Sequence, residues 1–186
     1  MNTLLVGIAG GSSSGKTTFC RALQDHLGSD KVAVMGSDWY MNHGGPTHNR
    51  PDAVNEEEFL LDLDLLLKGK SISRRNRTVE HRSIVLIEGH LIFCFPRIVE
   101  KLDLKIFIDM DPEERLLRRI SRNTLEAGMD LKGVIDWYRK DVQTNYWKFI
   151  EPTKKMADFI IWGDGDPKKV ELLGAFLEKL AVEKAK

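Results

Sequence analysis

Residues Gly10 to Thr18 read Gly-Gly-Ser-Ser-Ser-Gly-Lys-Thr-Thr. Gly10, Gly15, Lys16 and Thr17 occupy the fixed places of Gly-x-x-x-x-Gly-Lys-Thr, which constrains a chain to a phosphate-binding loop between a strand and a helix. The flanks comply. Leu4 to Ile8 is a short apolar run, so a buried strand feeds the loop. Phe19, Leu23 and Leu27 follow about one turn apart, so Thr17 to Leu27 reads as a helix.

Each residue type in the loop has a chemical reason. Glycines let the backbone curl until successive N–H groups face phosphate oxygens. The helix N-terminus adds its partial positive charge. Gly10, Gly11, Ser12, Ser13, Ser14, Gly15, Lys16, Thr17 and Thr18 are therefore the nucleotide-binding candidates. Lys16 places a point charge on the outer phosphates, and Thr17 offers a hydroxyl to Mg²⁺.

Beyond the loop, short apolar runs alternate with longer amphipathic ones, which predicts α/β architecture around a parallel sheet. Val32 to Met35, Ile84 to Ile87, Ile106 to Ile108 and Phe159 to Trp162 are the further strands. Helices are expected over Glu56 to Lys68, Pro112 to Glu126, Leu131 to Phe149 and Lys168 to Leu180, with fraying from Glu183. Gly36 to Asp52 reads as a long polar loop, and the basic stretch Lys70 to Arg82 as a short hairpin or an arm. At 186 residues, without repeats or linkers, one domain is expected.

In open α/β sheets ligands bind beyond the carboxyl ends of the strands. The phosphate loop, Asp38 and Glu88 gather there, and a basic helix face is expected beside them. Glu88 ends the uninterrupted run Ile84-Val85-Leu86-Ile87 and is the expected Mg²⁺ partner of Thr17, directly or through water. Asp38 follows the second strand and can orient an acceptor hydroxyl and take its proton. Arg115, Arg118 and Arg122 are spaced three and four apart, with Arg119 adjacent, so a basic helix face can close over bound phosphates. Trp137, Tyr138, Tyr146 and Trp147 recur near helical spacing and suit either stacking on a base or core packing. His43 and His48 have no Cys or acid at metal-ligand spacing, so no zinc site is expected.

Taken with Arg50-Pro51-Asp52-Ala53, Glu88-Gly89-His90-Leu91, Lys105-Ile106-Phe107-Ile108-Asp109, Arg118-Arg119-Ile120-Ser121-Arg122 and Glu151-Pro152-Thr153-Lys154-Lys155-Met156-Ala157-Asp158, these motifs resemble the uridine kinase and phosphoribulokinase family. That family includes nicotinamide riboside kinase. The similarity runs from about Leu4 to Gly163. It implies a P-loop NTPase-type three-layer α/β fold, with a five-stranded parallel sheet and a helical lid over about residues 112–130. It implies ATP or GTP and Mg²⁺, with the 5′-hydroxyl of a nucleoside of the uridine/cytidine type as acceptor. In its terms Asp38, Lys16, Arg119 and Arg122 carry catalysis. Asp38, Tyr40, Asn49, Asp52, His81, Arg119 and Trp137 contact the substrate, and Thr17 and Glu88 hold the metal.

Several positions depart from the family pattern, all on the acceptor side. Lys70 to Arg82 is shorter than the family's hairpin and lacks its aromatic, leaving only His81 as a substitute. Asn49 stands where an acid is expected on the ribose hydroxyls, with Asp52 a weaker replacement. Trp137 replaces a glutamine, and Ala127-Gly128-Met129 replaces Arg-Gly-Arg. Nicotinamide riboside or another small hydroxyl metabolite therefore stays open as acceptor, as does a nucleotide-sensing protein without phosphotransfer.

Charge narrows the partners. Lys+Arg and Asp+Glu each number 28, so no bulk charge draws nucleic acid or an anionic membrane. Only Arg74, Arg75, Arg77 and Arg82 argue for nucleic acid. No run reaches membrane-spanning length, and no basic-then-apolar leader is seen. Cys20 and Cys94 sit in apolar contexts that suit a reducing compartment, so the cytoplasm is expected. Self-association into a homo-oligomer is left open.

Overall fold

The computed structural model describes residues 3–42, 47–163 and 166–186. His43, Gly44, Gly45 and Pro46 of the expected polar loop lie outside them. Five strands form one parallel sheet in the order β2–β5–β1–β6–β7. They are β1 (Leu4–Gly10), β2 (Val32–Gly36), β5 (Ile84–Glu88), β6 (Leu104–Asp109) and β7 (Phe159–Trp162). β1, β5 and β6 are apolar along most of their length because both faces of this sheet are covered. Phe19, Leu23 and Leu27 of α1 (Lys16–Leu27) fill one face, joined by Leu173 and Leu177 of α6 (Pro167–Lys184). Phe59, Leu63 and Leu66 of α2 (Glu56–Leu67) fill the other, with Phe107 and Tyr146.

The strands and helices expected from the sequence are present, most with ends shifted by a residue or two. α6 runs on to Lys184 instead of fraying at Glu183, because Lys184 ion-pairs with Asp103 beside β6. The expected helix Pro112 to Glu126 is α4 (Pro112–Ile120) followed by wider π-type turns over Ser121–Glu126. The expected helix Leu131 to Phe149 is α5 (Leu131–Trp137) with wide turns over Tyr138–Gln143 and Tyr146–Ile150. A short helix, α3 (Pro96–Val99), lacks a sequence periodicity long enough to announce it.

Lys70 to Arg82 resolves as a hairpin. β3 (Ile72–Arg74) pairs antiparallel with β4 (Arg77–Val79). Arg75 (φ 46°) and Asn76 (φ 60°) are both left-handed, as a two-residue primed turn requires. The hairpin is tied down by charge. Arg74 donates to the Asp62 carboxylate and, at 3.0 Å, to Glu58 on α2. Asp62 also accepts the Tyr40 hydroxyl at 2.8 Å, and the Arg74 guanidinium lies 5.5 Å over the Tyr40 ring.

Asp62→Ala removes the acceptor that three elements share and leaves the buried Tyr40 hydroxyl unpaired. We expect a loss of about 3 kcal/mol in urea unfolding followed by circular dichroism, where Glu80→Ala on the exposed hairpin flank changes little.

Candidate active site

Parallel register sets the site. Gly36 of β2 and Ile8 of β1 both stand opposite Glu88 of β5, so three strand ends lie level. The chain turns out of each strand into one cleft of about 370 Å³. Ser12, Ser13, Lys16 and Thr17 line it from the loop, Asp38 from the turn after β2, and Glu88, Gly89 and His90 from the end of β5.

The loop takes its shape from close approaches. Gly10 is at φ 146°, and a Cβ there would sit 2.3 Å from the Ile108 carbonyl oxygen. Gly15 (φ 92°) caps α1, and Ser13 (φ 64°) is left-handed without being glycine. The Ser13 and Ser14 hydroxyls and Arg119 Nε are buried without a partner among the described residues. Lys16 is buried, and its Nζ donates to the Gly11 carbonyl at 2.8 Å. Burial pushes the Lys16 ammonium down from its ordinary range, while Glu88 and Asp38 draw it back up. Burial pushes the Glu88 carboxyl up, and Lys16 opposes that. Thr17 Oγ1 donates to Glu88 Oε1 at 2.9 Å.

Asp38 lies in a 3₁₀ turn, Ser37–Tyr40, with its side chain 73% exposed to the cleft. His90 Nδ1 is 3.9 Å away, and His90 Nε2 meets the His48 carbonyl at 2.9 Å. Burial holds the His90 imidazole below its usual range, so it is neutral near pH 7. Gly89 is needed where β5 leaves the sheet, because a Cβ would lie 1.8 Å from Ser37 Oγ.

On α4 and the wide turns after it the arginines divide their work. Arg115 is buried, donates from Nε to the Met110 carbonyl at 3.2 Å, and lies 3.8 Å over the Tyr146 ring. Arg118 turns away and pairs with Glu114. Arg119 donates to Ser12 Oγ at 3.0 Å, and Arg119 and Arg122 line the cleft. The face presented to the loop is thus Arg115, Arg119 and Arg122, not the expected Arg115, Arg118 and Arg122.

Of the expected acceptor residues, Asn49, Arg119 and Trp137 reach the cleft beside Asp38. Tyr40 does not; two positions along the tight turn from Asp38, it is 1% exposed and points into the core. Burial and the Asp62 carboxylate push its phenol well up. Asp52 is exposed and pairs with Arg50. His81 turns back onto the Leu66 carbonyl at 2.9 Å. Five cleft residues were not among the expected site residues: Met41, His48, Gly89, His90 and Arg75. The Arg75-Asn76 turn could have signalled the last, since Asn tolerates left-handed backbone and sets which way a hairpin tip faces. Cys20 is fully buried, which raises its thiol far above the reactive range.

A glycine loop joining a parallel strand to a helix, with acids level with it on two neighbouring strands, defines a P-loop phosphotransferase. The model of the phosphoribulokinase / uridine kinase family matches residues 47–166. The chain belongs to that family. Uridine kinase of Chloroflexus aurantiacus is 31% identical, with 94% of each chain covered. Uridine kinase of Ligilactobacillus salivarius is 33% identical over 88% of this chain and 86% of its own. Uridine kinase-like protein 3 of Arabidopsis thaliana is 34% identical over 87% of this chain, which spans 40% of that longer relative. Among solved structures, a possible uridine kinase from Bacillus stearothermophilus has a TM-score of 0.55 at 19% identity, covering 87% of this chain and 89% of its own. Shikimate kinase from Bacteroides thetaiotaomicron has 0.56 at 18%, covering 95% and 97%. These two establish likeness of fold. Among the described residues no helix is long and apolar enough to cross a membrane.

Gly10→Ala combines a left-handed backbone with a clash against a neighbouring carbonyl. A stability loss of about 2 kcal/mol or more is expected in thermal or urea unfolding. Gly128→Ala serves as comparison, because its φ of 65° is also positive but lies in the milder left-handed helical region and nothing stands within 4 Å.

Proposed function

We propose that this chain is a kinase that uses a nucleoside triphosphate and Mg²⁺ to phosphorylate the 5′-hydroxyl of a nucleoside of the uridine/cytidine type. One observation carries the reading. An exposed carboxylate, Asp38, faces the same cleft as Lys16, Thr17, Glu88 and three arginines, in a chain about one-third identical to proteins named uridine kinase.

The residues fit a triphosphate. Buried serine hydroxyls and an Arg119 N–H stand without partners around the loop, and Lys16 is held by a single backbone carbonyl that phosphate oxygens can replace. An incoming polyanion also favours the charged form of Lys16 that burial disfavours. Thr17 and Glu88 form a donor set of one hydroxyl and one carboxylate. That suits a hard cation completing its shell from phosphates and water. Among the described residues no group of three or more His, Cys, Asp or Glu could hold a metal. Mg²⁺, when bound, supplies positive charge to the phosphates.

The remaining chemistry belongs to the chain. Asp38 accepts the hydrogen bond of the acceptor hydroxyl and takes its proton as the hydroxyl oxygen bonds to the terminal phosphorus. The bond to the bridging oxygen breaks, and the nucleoside diphosphate leaves with its electron pair. Arg119 and Arg122 balance the negative charge spread over the transferring group. His90, neutral and anchored on the His48 carbonyl, limits where the Asp38 carboxylate can turn. Residues of about 112–130 act as a lid that excludes water during transfer.

Arg75 in the cleft favours a second reading. A cation at this place suits another small hydroxyl metabolite with an anionic substituent better than positively charged nicotinamide riboside.

Asp38→Asn should lower turnover by about 10² to 10⁴-fold while leaving nucleotide affinity nearly unchanged. ADP release over a panel of nucleosides and polyols, with ATP or GTP and Mg²⁺, measures the first. Thermal shift with nucleotide measures the second. Near-normal turnover in this variant would sink the role given to Asp38. Stimulation by anionic sugars but not by uridine or cytidine would replace the first reading with the second.

A further inference from the structure

Opposite the phosphate loop, a buried acid does work that the proposed reaction leaves unassigned. Asp141 lies in the wide turns Tyr138–Gln143, four residues after Trp137, and is 9% exposed. No lysine or arginine is within ion-pair distance of it among the described residues. Its partners are instead three neutral side chains. Thr47 Oγ1 donates to Asp141 Oδ2 at 2.8 Å, Asn49 Nδ2 to the same oxygen at 2.5 Å, and Asn145 Nδ2 to Oδ1 at 2.8 Å. Thr47 Oγ1 in turn accepts the Asn49 backbone N–H at 2.9 Å.

This arrangement decides which way the Asn49 amide faces. A carboxylate only accepts hydrogen bonds, so the NH₂ end of the amide must point at Asp141. The carbonyl end, Oδ1, is then directed away from Asp141. None of the described residues hydrogen-bonds Oδ1, although Asn49 is only 5% exposed and lines the cleft with Asp38 and Arg119. An acceptor without a protein partner at the wall of a cleft suits a ligand that brings a donor.

We propose that Asp141 is a positioning residue for acceptor choice: it fixes Asn49 so that Oδ1 accepts a hydrogen bond from a sugar hydroxyl of the acceptor. The pair replaces a single acid on the sugar with a neutral oxygen oriented by an acid behind it. The inference rests on the nucleoside reading above and deepens it. It makes a free ring hydroxyl, beyond the one phosphorylated, a requirement for good substrates.

The test uses the full-length enzyme and four acceptors: uridine, 2′-deoxyuridine, 3′-deoxyuridine and 2′,3′-dideoxyuridine. Wild type should favour uridine over at least one singly deoxygenated acceptor, and over the dideoxy acceptor, by about tenfold or more in kcat/KM. Asp141→Asn frees the Asn49 amide to turn either way. It should raise KM for uridine about tenfold and flatten the preference, with kcat and the KM for ATP within about twofold. Asn49→Asp places two carboxylates in contact and should be worse. The exchange Asn49→Asp with Asp141→Asn restores one donor–acceptor pair and returns an acceptor oxygen to the cleft, so the preference should come back. A merely structural acid would shift melting temperature, kcat and KM for ATP together and would not be rescued by the exchange.

An unchanged hydroxyl preference in folded Asp141→Asn overturns the proposal. If that single variant does not fold, the exchanged pair decides. A folded, discriminating enzyme supports the proposal, and an unfolded or indiscriminate one overturns it. Turnover of all four acceptors at equal rates by wild type overturns the role of Asp141 while leaving the kinase reading intact. No turnover of any nucleoside by wild type overturns both.

Discussion

The level register of three parallel strands is the constraint on which the cleft depends. Ile8 and Gly36 both stand opposite Glu88, so the loop after β1, the turn after β2 and the end of β5 emerge at one height. A slip of one residue in any strand would reverse its side chains and move Glu88 away from Thr17. Packing on both faces opposes that slip, because a shift would move Leu86 and Ile87 onto the opposite faces, away from the side chains that now bury them. Hydrophobic packing far from the cleft therefore sets distances within it, including the 2.9 Å between Thr17 and Glu88.

Burial then prepares the same groups for a charged ligand. Lys16 and Glu88 are each driven toward neutrality by desolvation and each held back by the other. Such a pair is sensitive to whatever enters beside it, since an added anion and cation offset two desolvation costs at once. The Ser13 and Ser14 hydroxyls extend this logic to polar atoms without charge.

How much of this was legible in the sequence follows from range. The phosphate loop, the five strands and the acids at two strand ends are encoded within a few residues of each motif, and their placement follows from the parallel topology. Tyr40 shows where local reading fails. It is two residues from Asp38, yet a 3₁₀ turn rotates successive side chains by about 120°, so one faces the cleft and the other the core. His81 looked like a substitute for a missing contact, but its ring is spent on the Leu66 carbonyl. Arg75 enters the cleft only because two left-handed residues set the hairpin's twist. Asp141 could not be found by motif at all. Its partners, Thr47 and Asn49, are more than ninety residues away along the chain.

Arg115 links two parts of the molecule that the sequence keeps apart. Its guanidinium is pressed between the Gly11 backbone and the Tyr146 ring, near the start of α4. That clamp makes α4 a lever with a fixed fulcrum. At a rise of about 1.5 Å per residue, Arg119 stands about 6 Å along the arm. Arg119 is therefore held near the clamp beside Ser12, while Arg122, past the end of α4 in the wide turns, reaches the cleft from further along the chain.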